Sequence, residues 1–314
     1  RYWTMRGFYV ERRFGWDVHG LPIEMEVQKE LGLEDPQQID DYGIAKFNEA
    51  CRSQVQTNTE NWERVTRKIG RWVDFENDYK TMDIDFMESV WWVFKELWEN
   101  ELIYKDYKVL PYSWAAATPL SNFEANMDYR DVEDPSIFFT LRARKDHNKI
   151  KKDDEFLVWT TTPWCIPGNL AIAVGEKIKY SRILLNNTNY WIASERLNEL
   201  NDHDYQIIDE SIGSDLIGGE YIPAYDEFEN EYLNGAFRII HSDDTNTDSG
   251  SGLVSQAPAY GESDFYALKN GGINAIVDPV TLSGKFDSSV KGLENKYVKD
   301  CLLYTSDAAD DSLR

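Results

Sequence analysis

The stretch 155–174, EFLVWTTTPWCIPGNLAIAV, sets the reading of this chain. Phe156 to Trp159 form an apolar run that predicts a buried strand. Thr160, Thr161 and Thr162 follow, and Pro163 ends regular pairing by removing a backbone donor. Side chains alternate along a strand, so Thr160 and Thr162 share one face and Thr161 takes the other. Pro167 and Gly168 break the chain again before a second apolar run, Leu170 to Val174. Hydroxyls clustered at a strand end beside a loop lie where sites are commonly built. The same residues also suit an ordinary β-turn-β unit in which Thr serves only strand propensity. Taken alone, the stretch leaves both readings open.

Its surroundings are β in texture from about Asp131. IFFTLRAR (137–144), YSRILL (180–185), NYWIAS (189–194), YQIID (205–209) and AFRIIH (236–241) are short strand patterns separated by polar loops. That spacing predicts a sandwich or barrel. Between Glu199 and Asp248 the only basic residue is Arg238, so acidity is concentrated here. SGSGLVSQAPAYGESDF (249–265) reads as a second polar loop with apolar flanks. Gly250 and Gly252 permit close backbone approach there. Asp264 suits either of two tasks: pairing with a cationic ligand group, or capping a short helix from Phe265 to Lys269.

The first 130 residues read differently. FYVERRFGWD predicts a strand, Phe8 to Phe14, running into a Gly-rich turn and then a helix, Ile23 to Leu31. Open α/β sheets bind ligands at such strand ends. Asp17 and His19 share a face in extended backbone and suit an ammonium or hydroxyl group; they equally suit a turn capped by Asp17 with His19 packed beneath it. Residues 36–72 show helical periodicity. Arg64, Arg67, Lys68 and Arg71 gather on one side, either as a phosphate-contact surface or as a solvated face. Asp83 to Leu102 predicts a helix with Asp83 at its N-cap. Its stripe of Phe86, Met87, Val90, Trp91, Phe94, Leu97 and Trp98 is expected to pack in a core. Residues 102–104, 109–110 and 111–112 read as short strands, and Ser113 to Asn126 as an irregular polar connection.

Composition narrows the class. The chain has 314 residues, 42% hydrophobic, with a formal net charge of −23. It can hold two domains. So acidic a chain has no general affinity for nucleic-acid backbone or anionic membrane, so any such contact must come from local basic patches. The three cysteines, Cys51, Cys165 and Cys301, are far apart, and the four histidines show no metal-ligand spacing, so no metal site is expected. No signal-peptide pattern or long apolar run occurs, which favours a cytoplasmic setting.

Four segments in order, GWDVHGLPIE (15–24), TPLSNFEAN (118–126), VWTTTPWCIPGNLAIAV (158–174) and GSGLVSQAPAYGESDF (250–265), resemble the isoleucyl-tRNA synthetases, class I aminoacyl-tRNA synthetases. Valyl and leucyl relatives usually carry Arg in the third threonine's place and an acid in place of Trp164, so TTTPW favours the isoleucyl member. The resemblance implies an α/β chain: part of a Rossmann-type class I catalytic domain (1–130), then an inserted β-barrel-like editing domain (131–300). It implies ATP, with Mg2+, and isoleucine as substrates of the parent enzyme, tRNA(Ile) as partner, and a monomer. Asp17 matches the residue that contacts the isoleucine ammonium, with His19 beside it. Thr160, Thr161, Thr162 and Trp164 match the editing-site threonine segment. Asp264 matches the acid that anchors a misloaded amino acid.

The chain also departs from the pattern. The His-x-Gly-His and Lys-Met-Ser-Lys-Ser motifs are absent; the resemblance puts them upstream of Arg1 and far downstream. An internal fragment that does not itself activate isoleucine is therefore expected. Ser255 stands where the family has a His that helps exclude isoleucine from the editing pocket, which predicts weaker exclusion. CLLYTSDAADDSLR (301–314) does not continue the β texture and is expected to be a non-native tail. Two readings stand beside this one: a valyl or leucyl relative, and a non-catalytic acidic β-rich binding module.

Overall fold

The computed structural model describes residues 1–300 apart from 34–36, 56, 58, 128, 132, 134 and 202. The expected tail at 301–314 lies outside the described residues. The chain divides into two compact units, the first Arg1–Tyr107 with Ala115–Ala117, the second Lys108–Trp114 and Thr118 onward.

The first unit is a short parallel strand pair with helices. Its elements are α1 (Tyr2–Met5), β1 (Arg13–Trp16), α2 (Leu21–Glu30), α3 (Gln37–Tyr42), α4 (Ile44–Val55), α5 (Thr59–Lys68), β2 (Asp74–Lys80) and α6 (Ile84–Glu99). β1 runs parallel to β2, with Arg13 opposite Asp74 and Trp16 opposite Lys80. Phe14 stacks on Phe75 across the pair at 4.4 Å between ring centres. α2 packs against α4, where Val27 and Phe47 are buried. The strand starts five residues later than the pattern predicts. Phe8, Tyr9 and Val10 have strand-forming side chains, but all three are exposed, and propensity makes no strand without a neighbour to pair with.

α6 overturns a second expectation. Its N-cap is Asp83, as predicted, but that carboxylate accepts the Lys80 amide at 2.9 Å instead of a helix amide. The apolar stripe is not in a core. Met87, Val90, Trp91, Phe94, Leu97 and Trp98 are all exposed, Trp91 at 70%. Periodicity shows that a helix has an apolar side; it does not supply the layer that covers it.

The second unit is built on one eight-stranded mixed sheet. It opens with a small antiparallel pair, β3 (Tyr112–Ser113) and β4 (Thr118–Pro119), and then α7 (Asn122–Ala125). The predicted strands at 102–104 and 109–110 are not formed, and the connection expected to be irregular holds α7 instead. Ser121 starts α7 with a capping box: its hydroxyl accepts the Glu124 amide and Glu124 accepts the Ser121 amide. The sheet comprises β5 (Ile137–Arg142), β6 (Glu155–Thr160), β7 (Ala171–Val174), β8 (Lys179–Leu185), β9 (Thr188–Ala193), β10 (Gln206–Ile212), β11 (Arg238–His241) and β12 (Val254–Gln256). α8 (Gly213–Leu216) follows β10, and α9 (Glu262–Asn270) follows β12.

β6 organises the sheet. One edge pairs antiparallel with β5 along its whole length. The other edge is shared: β9 runs parallel to it at Glu155–Phe156 and β12 at Trp159. β12 then pairs antiparallel with β7, which carries β11 on its far side. Phe156, Val158, Leu170, Ile172, Trp191, Tyr221 and Phe237 fill the main core. Leu157, Ile183, Ile192 and Leu200 form a second layer on the opposite face. β6 is thus covered on both sides, which is why it reads as a continuous apolar run. β12 lies inside what the sequence presents as a polar loop; three residues are too short for alternation to register. Gly250 leads into it at φ +69°, where an added Cβ would lie 2.5 Å from the Trp159 ring.

Among the described residues no helix is long and apolar enough to cross a membrane.

Candidate functional site

In the second unit, adjacency of β6 and β12 brings the two broken segments together. The Trp159 amide donates to the Leu253 carbonyl at 3.0 Å, and the Leu170 amide to the Gln256 carbonyl at 2.9 Å. The threonines therefore leave β6 beside the loop that leaves β12.

Thr160 is buried; Thr161 and Thr162 are exposed. The Thr160 and Thr162 hydroxyl oxygens lie 3.3 Å apart, and the Thr162 amide donates to Thr160 Oγ1 at 3.1 Å. The expected sharing of a face by these two is what the geometry shows. Pro163–Gly168 then forms a 3-10 helix. Its Trp164 meets Tyr260 edge-on, ring centres 4.8 Å apart, so the two segments touch through aromatic rings. Tyr260 in turn donates its hydroxyl to Asp278 at 3.0 Å. Cys165 sits beneath, its thiol pushed up to about 12 by burial, with a Thr162 hydrogen bond opposing and the Asp264 charge adding. At that value the thiol stays protonated near neutrality and is no nucleophile.

Asp264 does not cap its helix. α9 begins three residues earlier than expected, with Gly261 at the N-cap position and Asp264 in the first turn. Its carboxylate turns back to accept the Ala257 amide at 2.8 Å. Burial raises its pKa, and the Ala257 amide partly offsets that. A half-buried carboxylate held this way favours a nearby cation, which would restore its ionised form. Gly261 gives it room: a Cβ there would lie 2.9 Å from Asp264 Cγ.

Ser255 lies on β12, one residue beyond the Val254–Trp159 pairing, so it shares a sheet face with Thr160. Its hydroxyl accepts Asn169 Nδ2 at 2.9 Å. Asn169 is buried, donates also to the Ala171 carbonyl at 2.9 Å, and accepts the Tyr221 hydroxyl at 2.6 Å. Asn169, Tyr221 and Tyr260 are not singled out by the sequence pattern. The one available signal is a polar Asn between Gly168 and an apolar run.

The first unit holds the other candidate pair. Asp17 and His19 follow β1 and are both exposed, while Val18 between them is half-buried and donates its amide to Thr81 Oγ1 at 3.0 Å. His19 therefore does not pack beneath a turn. It lines a cleft of about 220 Å³ with Ile23, Glu24, Cys51, Arg52 and Met82. Gly20, at φ +118°, is the N-cap of α2. Among the described residues, no group of three His, Cys, Asp or Glu side chains is placed to hold a metal ion.

Residues 1–254 match the family model for tRNA synthetases class I (I, L, M and V). The isoleucine–tRNA ligase of Protochlamydia amoebophila is 44% identical over 304 residues, covering 96% of this chain and 29% of that protein. The Chlamydia pneumoniae enzyme of that name is 44% identical over 303 residues, 95% of this chain and 28% of its own length. That of Mycobacterium leprae is 43% identical over 305 residues, with the same two shares. The chain thus spans under a third of the length of these relatives. Among solved structures, GlLeuRS-CP1 overlays 57% of this chain and 96% of its own at a TM-score of 0.43 and 13% identity.

Proposed function

Because this chain belongs to the family of class I tRNA synthetases, we propose that it is part of an isoleucine–tRNA ligase, with the proofreading site in its second unit. The parent enzyme activates isoleucine with ATP and Mg2+ and charges tRNA(Ile), as a cytoplasmic monomer. The second unit hydrolyses valyl-tRNA(Ile). The first 130 residues belong to a Rossmann-type catalytic domain, supported by the parallel β1–β2 pair. Residues 131–300 form the editing insertion, whose mixed sheet curls toward a barrel.

The carrying observation is the edge-on contact of Trp164, in the segment that follows Thr160–Thr162, with Tyr260 of the Ala257–Asp264 loop. The physical need for such a site is general. A pocket shaped for isoleucine rejects valine by only ~1–3 kcal/mol, one methylene's worth; this amino-acid pair is the standard illustration of that limit. A second, smaller pocket must hydrolyse what the first admits.

Ester hydrolysis needs a held water and donors facing the oxyanion. Thr161 and Thr162 offer exposed hydroxyls at the strand end, and Thr160 anchors Thr162 through its amide and its hydroxyl. Asp264 holds the α-ammonium of the esterified valine by a charge-assisted bond. Trp164 and Ser255 bound the space for its side chain. In the first unit, Asp17 takes the ammonium of isoleucine and His19 lies beside it.

The test is hydrolysis of Val-tRNA(Ile) by the 314-residue chain, with an unrelated aminoacyl-tRNA as the control. Release of valine above the uncatalysed rate, lost in Asp264→Ala, supports the assignment. No release from a correctly folded chain refutes it.

A further inference from the structure

Trp164 bounds the proposed pocket, and its place depends on what packs against it. Tyr260 meets it edge-on, ring centres 4.8 Å apart. It also packs against a small core of Phe286, Val290, Leu293 and Val298. The segment that carries this core, residues 279–300, is held by turns and isolated bridges such as Val280 to Phe286. So irregular a segment needs side-chain ties to keep its register with the sheet.

Tyr260 supplies one. Its amide donates to the carbonyl of Ala257 at 3.0 Å, and the amide of that same residue holds Asp264. Its ring lies over Gly168, the last residue of the 3-10 helix that carries Trp164. A Cβ at Gly168 would lie 3.0 Å from Tyr260 Cε2 and 3.2 Å from the Val277 carbonyl oxygen, so the ring fills a slot that only glycine leaves open. Its hydroxyl donates to Asp278 Oδ1 at 3.0 Å, and that oxygen also accepts the Val280 amide at 3.3 Å. Burial and the Asp278 charge push the tyrosine's pKa well up, so the hydroxyl stays a donor near neutrality.

We propose that Tyr260 and Asp278 are positioning residues for the editing pocket: their bond latches the loop that carries Asp264 to the segment that follows Asp278, and so fixes the Trp164 ring that bounds the substrate's side chain. The substrate rests on the editing reading above; the latch rests on the contacts among Trp164, Gly168, Tyr260 and Asp278. The Trp164 wall meets the side chain of the esterified amino acid, not the bond that breaks. Loosening it should weaken ground state and transition state alike, raising KM and leaving kcat nearly unchanged.

The experiment is steady-state hydrolysis of Val-tRNA(Ile) by the 314-residue chain and by Tyr260→Phe, Asp278→Ala and the double variant. Each single change is expected to raise KM about three- to tenfold, the worth of one hydrogen bond, with kcat held within about twofold. Both remove the same bond, so the double variant should be no worse than Asp278→Ala. Asp278→Asn keeps an acceptor for Tyr260 and Val280 and should restore the wild-type KM. A second readout needs no catalysis: 5-fluorotryptophan labelling, with Trp164→Phe identifying the Trp164 signal among the eleven tryptophans. That fluorine resonance should shift or broaden in Tyr260→Phe and Asp278→Ala and return in Asp278→Asn. An unchanged KM in both single variants, a loss confined to kcat, or additive losses in the double variant overturns the proposal. If the wild type releases no valine, the editing reading fails, and the Trp164 resonance alone then decides the latch: unmoved, it overturns the latch as well.

Discussion

The Asp264 carboxylate accepts the Ala257 amide at 2.8 Å across the loop between β12 and α9. Oδ2 is committed to holding that loop, while Oδ1 meets only the Ser263 hydroxyl, at a long 3.5 Å, and can take a cation in its place. Asp264→Asn retains an acceptor for Ala257 but loses the charge. It should not lower thermal stability, and should lower Val-tRNA hydrolysis by about 10- to 100-fold, the worth of one charge-assisted bond. Asp264→Ala also strands the Ala257 amide and should cost about 1–3 kcal/mol of stability in addition. Denaturant titration alongside the hydrolysis assay checks both.

The same carboxylate makes a pH prediction. Burial raises its pKa above the ordinary 3.8. A raised acid contributes stability that is complete below its unfolded pKa and is lost as pH climbs through the folded value. Asp264→Asn cannot ionise, so its melting temperature relative to wild type should rise as pH is brought up from below 3.8 toward neutrality. A difference that stays flat over that interval refutes the assignment of the strain to Asp264.

Ser255 makes the next prediction. Its hydroxyl is held by Asn169 at 2.9 Å, and it is much smaller than the His expected at this position from the family resemblance. The wild-type chain should therefore release isoleucine from Ile-tRNA(Ile) measurably, and Ser255→His should suppress that release while retaining valine release. Parallel deacylation time courses on the two esters decide it. Equal discrimination by the wild-type chain and by Ser255→His would show that the exclusion lies elsewhere.

What the sequence discloses follows the range of the interactions. β6, β8 and β9 are legible because each alternates or runs apolar within its own few residues. The shared face of Thr160 and Thr162 is legible for the same reason; the contact between their hydroxyls is not. The Tyr221–Asn169–Ser255 network is not, because its bonds join residues 52 and 86 positions apart. β12 is hidden by its length: three residues carry no period, and its strand state comes from β6 and β7 on either side. Asp264 reads as a cap because helix starts are local signals, whereas its actual partner, Ala257, is set by how the loop folds back.

The exposed stripe of α6 should govern how this chain behaves in solution. Val90, Trp91, Phe94 and Trp98 lie open on one helix, an apolar surface of the kind soluble monomers rarely present. The 314-residue chain is expected to self-associate at micromolar concentration, and Trp91→Lys with Phe94→Glu should shift it toward monomer. Light scattering after gel filtration measures this. Since neither side chain is buried, the substitutions should leave the thermal midpoint nearly unchanged.

Asp154 and Arg182 supply the strongest stability prediction in the second unit. Asp154 is 1% exposed. It accepts Arg182 Nη2 at 2.6 Å and Nε at 2.9 Å, with Trp191 Nε1 at 3.1 Å and the Lys151 amide at 2.9 Å. Oδ2 accepts three of these donors and Oδ1 the fourth, so the buried charge is met by a bidentate guanidinium and two further N–H groups, which helps a buried pair repay its desolvation. Removing one partner leaves the other charge stranded. Asp154→Leu or Arg182→Met should each cost about 3–5 kcal/mol, read from the urea midpoint. The double variant Asp154→Leu, Arg182→Met strands no charge and should cost clearly less than the two single changes added together. Strict additivity would mean that the pair does not interact, and the network with Trp191 would then have to hold β9 in place by itself.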